Sequence, residues 1–355
     1  MSTPRRRWWL VLLVPLLLAF AACGDDDSPE AAGNDGSTSA DVPTLRLGYF
    51  PNLTHAPALV GVDQGIFADA LQGKATLETS TFNAGPEAVE ALFADALDAS
   101  FIGPNPAINA YAQSDGAAIR IVSGSTSGGA YFVVREGIDA PEDLQGTTVA
   151  TPQLGNTQDV ALRSWLKDEG FEADEAGGGD VSVQPQANAD ALAAFVAGDI
   201  DGAWVPEPWA TRMVQEGGGH VLVDEADLWP EGEYVTTHLI VRTEFLDENP
   251  DAVKALLEGT VDAIDASNDD PEAAKASANA QLDELTDKPL DDAVLDAAWG
   301  NLTFTPDPIA SSLQTGAEDA ESVGLLDPVD LDGIYALDLL NEVLEGRGAT
   351  AVADL

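Results

Sequence analysis

Leu45-Arg46-Leu47-Gly48-Tyr49-Phe50 alternates apolar with other side chains, which predicts a strand, and the chain after it repeats one order of elements. The loop Pro51-Asn52-Leu53-Thr54-His55 leads into an apolar, helix-like stretch over 58–67. Thr76 to Phe82 predicts a second strand, and Gly85-Pro86 opens a helix with Val89, Leu92, Phe93 and Ala96 on one face. Residues 98–102 predict a third strand, Pro104-Asn105-Pro106 opens the next helix, and 118–123 predict a fourth strand. Strand and helix alternating at this spacing give an α/β fold, with a mostly parallel sheet flanked by helices.

A second set follows. Residues 147–151, 181–183, 200–205 and 220–223 predict strands. The helices between them are capped by Asn156 or run near 189–196 and 208–214. The segments 130–134 and 234–241 lie between or after the two sets and are expected to join them as crossover strands. Lobe I is therefore expected over 44–130 plus 238–355, and lobe II over 131–237. Residues 243–355 are helical in pattern, and the last helix (Leu337, Leu340, Leu344) is expected to dock on lobe I.

Arg5-Arg6-Arg7, an apolar run from Trp8 to Ala22, and Cys23 describe a secretory signal peptide over 1–22, too short to span a bilayer comfortably. Ala21-Ala22-Cys23 resembles a bacterial lipobox, with Phe20 where leucine is usual, which implies a diacylglycerol on Cys23. Residues 23–43 then read as the lipidated cysteine and an acidic, disordered tether. Two acyl chains hold a protein on a membrane where one does not, so the expected location is the extracytoplasmic face of the cell membrane. Asp25, Asp26 and Asp27 are read as a solvated spacer and not as a metal cluster.

Cys23 is the single cysteine, so no internal disulfide is available and packed cores must supply stability. The formal charge is −47, from 15 basic and 62 acidic residues, and it becomes three units more negative once the signal arginines leave. Such a surface repels nucleic acid and favours a soluble monomer. An anion site on this chain must therefore rest on local dipoles and not on net charge.

Several strand-to-helix turns offer such dipoles. Open α/β sheets bind ligands outside strand carboxyl ends, and each helix start presents a partial positive charge with unsatisfied N–H groups. The candidate binding residues from these turns are Asn52, Thr54, His55, Gly85, Asn105, Gln153, Asn156 and Thr157, with Ser127 at the lobe crossover. His238, on the returning crossover, joins His55 near the expected cleft, whereas His220 reads as structural. In Val205-Pro206-Glu207-Pro208-Trp209, Glu207 either complements a helix dipole or forms a negative wall for a ligand amine. Trp209 either fills core or walls the ligand's apolar stem. No G-x-S-x-G, H-E-x-x-H, P-loop or G-x-G-x-x-G signature occurs in place, so no enzyme, cofactor or metal is expected.

Five runs of the chain (48–57, 82–86, 101–107, 150–157 and 201–209) together resemble the substrate-binding lipoproteins of ABC importers for aliphatic sulfonates, taurine, nitrate and bicarbonate. The resemblance extends from Leu45 to the C-terminal helix. It implies a two-lobed class II periplasmic-binding-protein-like fold, with a ligand clamped between the lobes and an ABC permease and ATPase complex as partner. A small organic anion, an aliphatic sulfonate or taurine, is the expected ligand. Nitrate, bicarbonate or a pyrimidine precursor is the alternative, and an enzyme on the same fold is the alternative of another class.

Overall fold

The computed structural model describes residues 42–355; the signal-like segment, Cys23 and the acidic run up to Asp41 lie outside the described residues. The first part of the chain forms β1 (Thr44–Tyr49), α1 (Ala56–Asp63), α2 (Ile66–Ala70), β2 (Thr76–Thr81), α3 (Gly85–Phe93), β3 (Ala99–Ile102), α4 (Pro104–Gln113) and β4 (Ile119–Gly128). The middle forms β5 (Ala130–Val134), β6 (Thr148–Thr151), α5 (Thr157–Asp168), β7 (Ser182–Pro185), α6 (Asn188–Ala197), β8 (Gly202–Pro206), α7 (Trp209–Gly217) and β9 (His220–Asp224). The last part forms β10 (Val235–Arg242), α8 (Thr243–Glu248), α9 (Pro250–Asp269), α10 (Pro271–Thr286), α11 (Asp292–Trp299), β11 (Leu302–Phe304), α12 (Ala310–Ser322) and α13 (Asp338–Gly346).

These strands build two sheets, ordered β11-β4-β10-β3-β1-β2 and β7-β6-β8-β5-β9. In the first, β1 runs parallel to β2 and β3, and β10 is antiparallel to both β3 and β4, so only β10 and β11 oppose the rest. In the second, only β5 opposes. The mostly parallel reading therefore holds in strand direction.

Strands covered on both faces must be apolar throughout, and every residue of β3 and β8 is buried. The edge strand β2, Thr-Leu-Glu-Thr-Ser-Thr, is polar and exposed at every position but Leu77, which discourages pairing with another chain. Inside the second sheet the period of two sorts side chains between two cores. Phe132, Val134 and Trp204 pack with Trp165 and Leu166 of α5, whereas Val133, Ala203 and Val205 pack with Phe195 of α6 and Met213 of α7. Burying each such large side chain stabilises the fold by about 1.5–3 kcal/mol.

The two segments expected to cross between lobes each pair within one sheet: β5 belongs to the second sheet from Ala130, and β10 to the first from Val235. The first change of sheet falls at Gly128-Gly129, with φ of 77° and 75°, a conformation that other residues avoid. A Cβ on Gly129 would also stand 2.2 Å from Leu302. The C-terminal part holds one strand that the helical pattern hides. β11 is three residues long, too short for a period, and exists because it pairs antiparallel with β4. Leu340 and Leu344 of α13 join the core of the first sheet.

Candidate functional site

The carboxyl ends of β1, β3, β6 and β7 and the starts of α3, α4, α5 and α6 enclose a small cavity of about 30 Å³. A water position needs about 10–15 Å³ on this measure, so the cavity is of the size of a small oxyanion headgroup. Asn52, Thr54, His55, Asn83 and Gly85 line it from the first lobe, and Asn156, Thr157, Gln158 and Asn188 from the second. No Asp, Glu, Lys or Arg lines it. Sequence reasoning named six of these residues. It passed over Asn188, although that residue opens α6 just after β7 and so carries the same strand-to-helix signal.

The donors are fixed by hydrogen bonds behind them. Thr54 gives its hydroxyl proton to Asn52 Oδ1 at 2.5 Å, which leaves the Asn52 amide N–H groups for the cavity. The Phe50 N–H donates to His55 Nδ1 at 3.4 Å, so Nε2 carries the imidazole proton. His55 stacks on Phe50 with centroids 4.4 Å apart, and burial pushes its pKa down to about 3, so the ring is neutral. Asn156 caps α5 by accepting from the Asp159 N–H, while the N–H groups of the first turn at Thr157 and Gln158 have no partner within the helix. The Asn188 Oδ1 is buried without a hydrogen-bond partner.

One buried ion pair holds the second-lobe loop in shape. Asp159 and Arg163 meet at 3.1 Å with side chains 0% and 2% exposed. The Asp159 carboxylate also accepts from the Thr151 hydroxyl at 2.7 Å and the Gly155 N–H at 3.0 Å. The lobes touch above this loop. A Cβ on Gly103 of the first lobe would lie 2.4 Å from Thr157 Oγ1 of the second, so the contact requires glycine. At another edge of the contact, Ser164 of α5 donates to Asp319 of α12 at 2.8 Å.

Trp209 lies at the mouth, in an adjoining cavity of about 180 Å³ that also reaches Asn52, Asn83 and Asn188. Leu282, Leu290, Arg212 and Lys288 line the same space, and no motif in the sequence marked the two cations. Five candidate residues stand elsewhere. Asn105 donates to the Gly316 carbonyl at 2.9 Å, and Pro104 and Pro106 beside it offer no N–H, so this helix start is a poor oxyanion donor. Ser127 pairs within the first sheet, between β10 and β11. Gln153 belongs to the loop before α5 but does not line the cavity. His238 sits in the centre of the first sheet, fully buried, with Nε2 3.0 Å from the Pro308 carbonyl, and burial lowers its pKa to about 4.

Glu207 corrects the reading of a negative wall facing an amine. Its carboxylate accepts from the Thr211 N–H at 3.1 Å, the Thr211 hydroxyl at 2.8 Å and Asn301 at 2.7 Å, outside both cavities. Burial raises its pKa, against those three hydrogen bonds. The dipole-complementing role, offered as its other reading, matches this position at the start of α7.

The chain is 28% identical over 207 residues to the taurine-binding periplasmic protein of Escherichia coli K12, an alignment covering 58% of this chain and 62% of that protein. Its fold matches the MOPS-bound alkanesulfonate-binding protein SsuA of Xanthomonas axonopodis pv. citri, with a TM-score of 0.68 at 19% identity, covering 84% of this chain and 99% of that one. It also matches the periplasmic nitrate-binding protein NrtA of Synechocystis PCC 6803, with a TM-score of 0.71 at 19% identity, covering 86% and 89%. These likenesses establish the two-lobed fold of periplasmic binding proteins. The family model for NMT1-like proteins matches residues 38–282, and with both sheets represented in that span the chain belongs to the NMT1-like family.

Proposed function

We propose that the chain is the extracytoplasmic substrate-binding lipoprotein of an ABC importer and captures an aliphatic sulfonate between its lobes. The observation that carries this reading is the enclosed cavity at the strand ends of both sheets, lined by neutral donors and free of carboxylates. Helix starts and amide groups held in place beforehand stabilise an oxyanion without a full counter-charge. Because ligand groups would touch both lobes only when these are closed, ligand favours the closed form.

The mouth cavity discriminates among ligands. Nitrate or bicarbonate would fill the inner cavity alone and leave the outer 180 Å³ unused, whereas a sulfonate's stem runs into it along Trp209. Taurine's ammonium finds no carboxylate in either cavity, which favours an alkanesulfonate over taurine. A pyrimidine precursor would want stacking faces, and the inner cavity offers only Phe50 and His55, already stacked on each other. Against an enzyme, the hydroxyls of Thr54 and Thr236 are committed to Asn52 and the Gly128 carbonyl, and His55 Nδ1 already accepts a hydrogen bond from the Phe50 N–H.

Thermal unfolding in the presence of propanesulfonate, taurine, nitrate, bicarbonate and uracil tests the assignment. Propanesulfonate is expected to stabilise most, by about 2.7 kcal/mol at a hundredfold excess over its Kd. Stabilisation by nitrate or uracil alone would remove the sulfonate assignment, and turnover of a bound ligand would make the protein an enzyme. For the anchor, Cys23→Ala should abolish labelling by fatty acid, and labelling that persists would place any lipid elsewhere.

A further inference from the structure

We propose that the ligand carries a second anionic group at the end opposite its oxyanion head, as a sulfocarboxylate does, and that Lys288 recognises it at the mouth of the cleft, beside Arg212. The inference deepens the sulfonate reading and rests on it. A stem leaving the inner cavity passes Asn52, Asn83 and Asn188, which line both spaces, and enters the outer one between Trp209, Leu282 and Leu290. There it meets two cations. The chain has 62 acidic residues against 15 basic ones, yet no Asp or Glu lines this cavity.

The two cations differ in what else they do. Arg212 is fixed: its guanidinium lies 5.1 Å from the Trp209 ring centroid and binds Glu216 through two hydrogen bonds, of 2.6 and 3.2 Å. That pairing spends much of its charge locally, and it leaves Arg212 chiefly as a rigid cover on the indole. Lys288 has no such tie. Among the described residues every other Lys and Arg is held by a carboxylate, or by backbone carbonyls as Arg120 is by Gly116 and Ile119 and Lys167 by Ser322. The Lys288 ammonium makes neither an ion pair nor a hydrogen bond among those residues, its backbone carbonyl alone accepting from the Thr286 hydroxyl at 3.4 Å, and it lies in the turn after α10 on a long, flexible stem at the mouth. In a chain this acidic, a lysine left without a carboxylate beside an acid-free cavity marks the place where a ligand supplies the anion.

Calorimetry with three sulfonates of equal chain length tests this: propanesulfonate, 3-sulfopropanoate and 3-aminopropanesulfonate. The wild-type protein should bind 3-sulfopropanoate tightest and the amine weakest, with about two- to five-fold between 3-sulfopropanoate and propanesulfonate, the worth of an exposed ion pair. Lys288→Gln should bring that ratio to one, and Lys288→Arg should restore it. Equal affinities in the wild type, tightest binding of the amine, or a ratio unmoved in Lys288→Gln would each overturn the inference while leaving a sulfonate-binding protein in place. Binding of none of the three would overturn the sulfonate reading, and this inference with it.

Discussion

Asn301 donates to the Glu207 carboxylate at 2.7 Å, joining the residue after β8 of the second sheet to the one just before β11 of the first. Glu207 is tied by its backbone as well. Its carbonyl accepts from the Leu53 N–H at 3.2 Å, and its N–H donates to the Gly129 carbonyl at 2.8 Å. The loop that supplies Asn52 and Thr54 to the cavity is thus held against the second lobe by a residue that lines neither cavity.

Glu207→Ala should therefore lower stability while Glu207→Gln, which keeps an acceptor, should leave sulfonate affinity unchanged. Leaving the Thr211 and Asn301 donors without a partner costs about 1–3 kcal/mol, measurable by urea unfolding. A double-mutant cycle with Asn301→Ala should give a coupling of about 0.5–3 kcal/mol, and zero coupling would mean the contact carries no weight.

Gly103→Val should weaken binding without unfolding the protein. The added atoms would sit where Thr157 Oγ1 now lies 2.4 Å from an ideal Cβ, so they penalise the closed form alone. Overpacking of this kind costs about 1–3 kcal/mol, and every 1.4 kcal/mol is tenfold in Kd. Scattering from the ligand-saturated variant should show a larger radius of gyration than saturated wild type. An identical radius and affinity would mean the lobes do not close on this contact.

Acid should destabilise the protein through His55. Its folded pKa, pushed down to about 3 by burial, lies below the unfolded value of 6.5. The stability is present above pH 6.5 and is lost as pH falls toward 3, because the unfolded chain binds the proton first. The slope reaches about 1.4 kcal/mol per pH unit. His55→Gln should make this limb of the urea-unfolding profile shallower without abolishing it, because buried His238, lowered to about 4, adds a loss of the same sign; an unchanged slope would mean that the His55 ring is protonated in the folded state.

Glu225 should give an opposite limb with an optical marker. It is buried, accepts from the Trp204 indole N–H at 2.7 Å, and burial raises its pKa from 4.5 to about 7. Its contribution to stability is full below pH 4.5 and is lost as pH rises through about 7. Trp204 fluorescence should titrate near pH 7 in the wild type and stay flat in Glu225→Gln.

Asp159→Ala should be the most damaging of these substitutions. It leaves Arg163 buried and unpaired, which costs about 3–5 kcal/mol, and it releases Thr151 and Gly155. Sulfonate binding by the protein that remains folded should weaken as well, since the freed loop carries Asn156 and Thr157. Unfolding midpoints and calorimetry on the same sample separate the two losses.

Local pattern wrote much of this protein into its sequence. The alternation in Leu45–Phe50, the Gly-Pro and Pro-Asn-Pro helix starts and the Asn156 cap each act over a few residues, so the two α/β sets and six cavity residues are legible along the chain. Tertiary structure decided the rest, because hydrogen-bond partners and exposure are set by what folds against a residue from far away. Glu207 faces Asn301 across 94 positions, and Asn105 faces Gly316 across 211, so neither motif could reveal that its polar group was already engaged. β11 exists only through pairing with β4, and Lys288 reaches the mouth only because the fold sets the turn after α10 on the same cavity as the start of α7. A short-range signal fixes which backbone groups are open, and only the packed fold determines which of them still lack a partner.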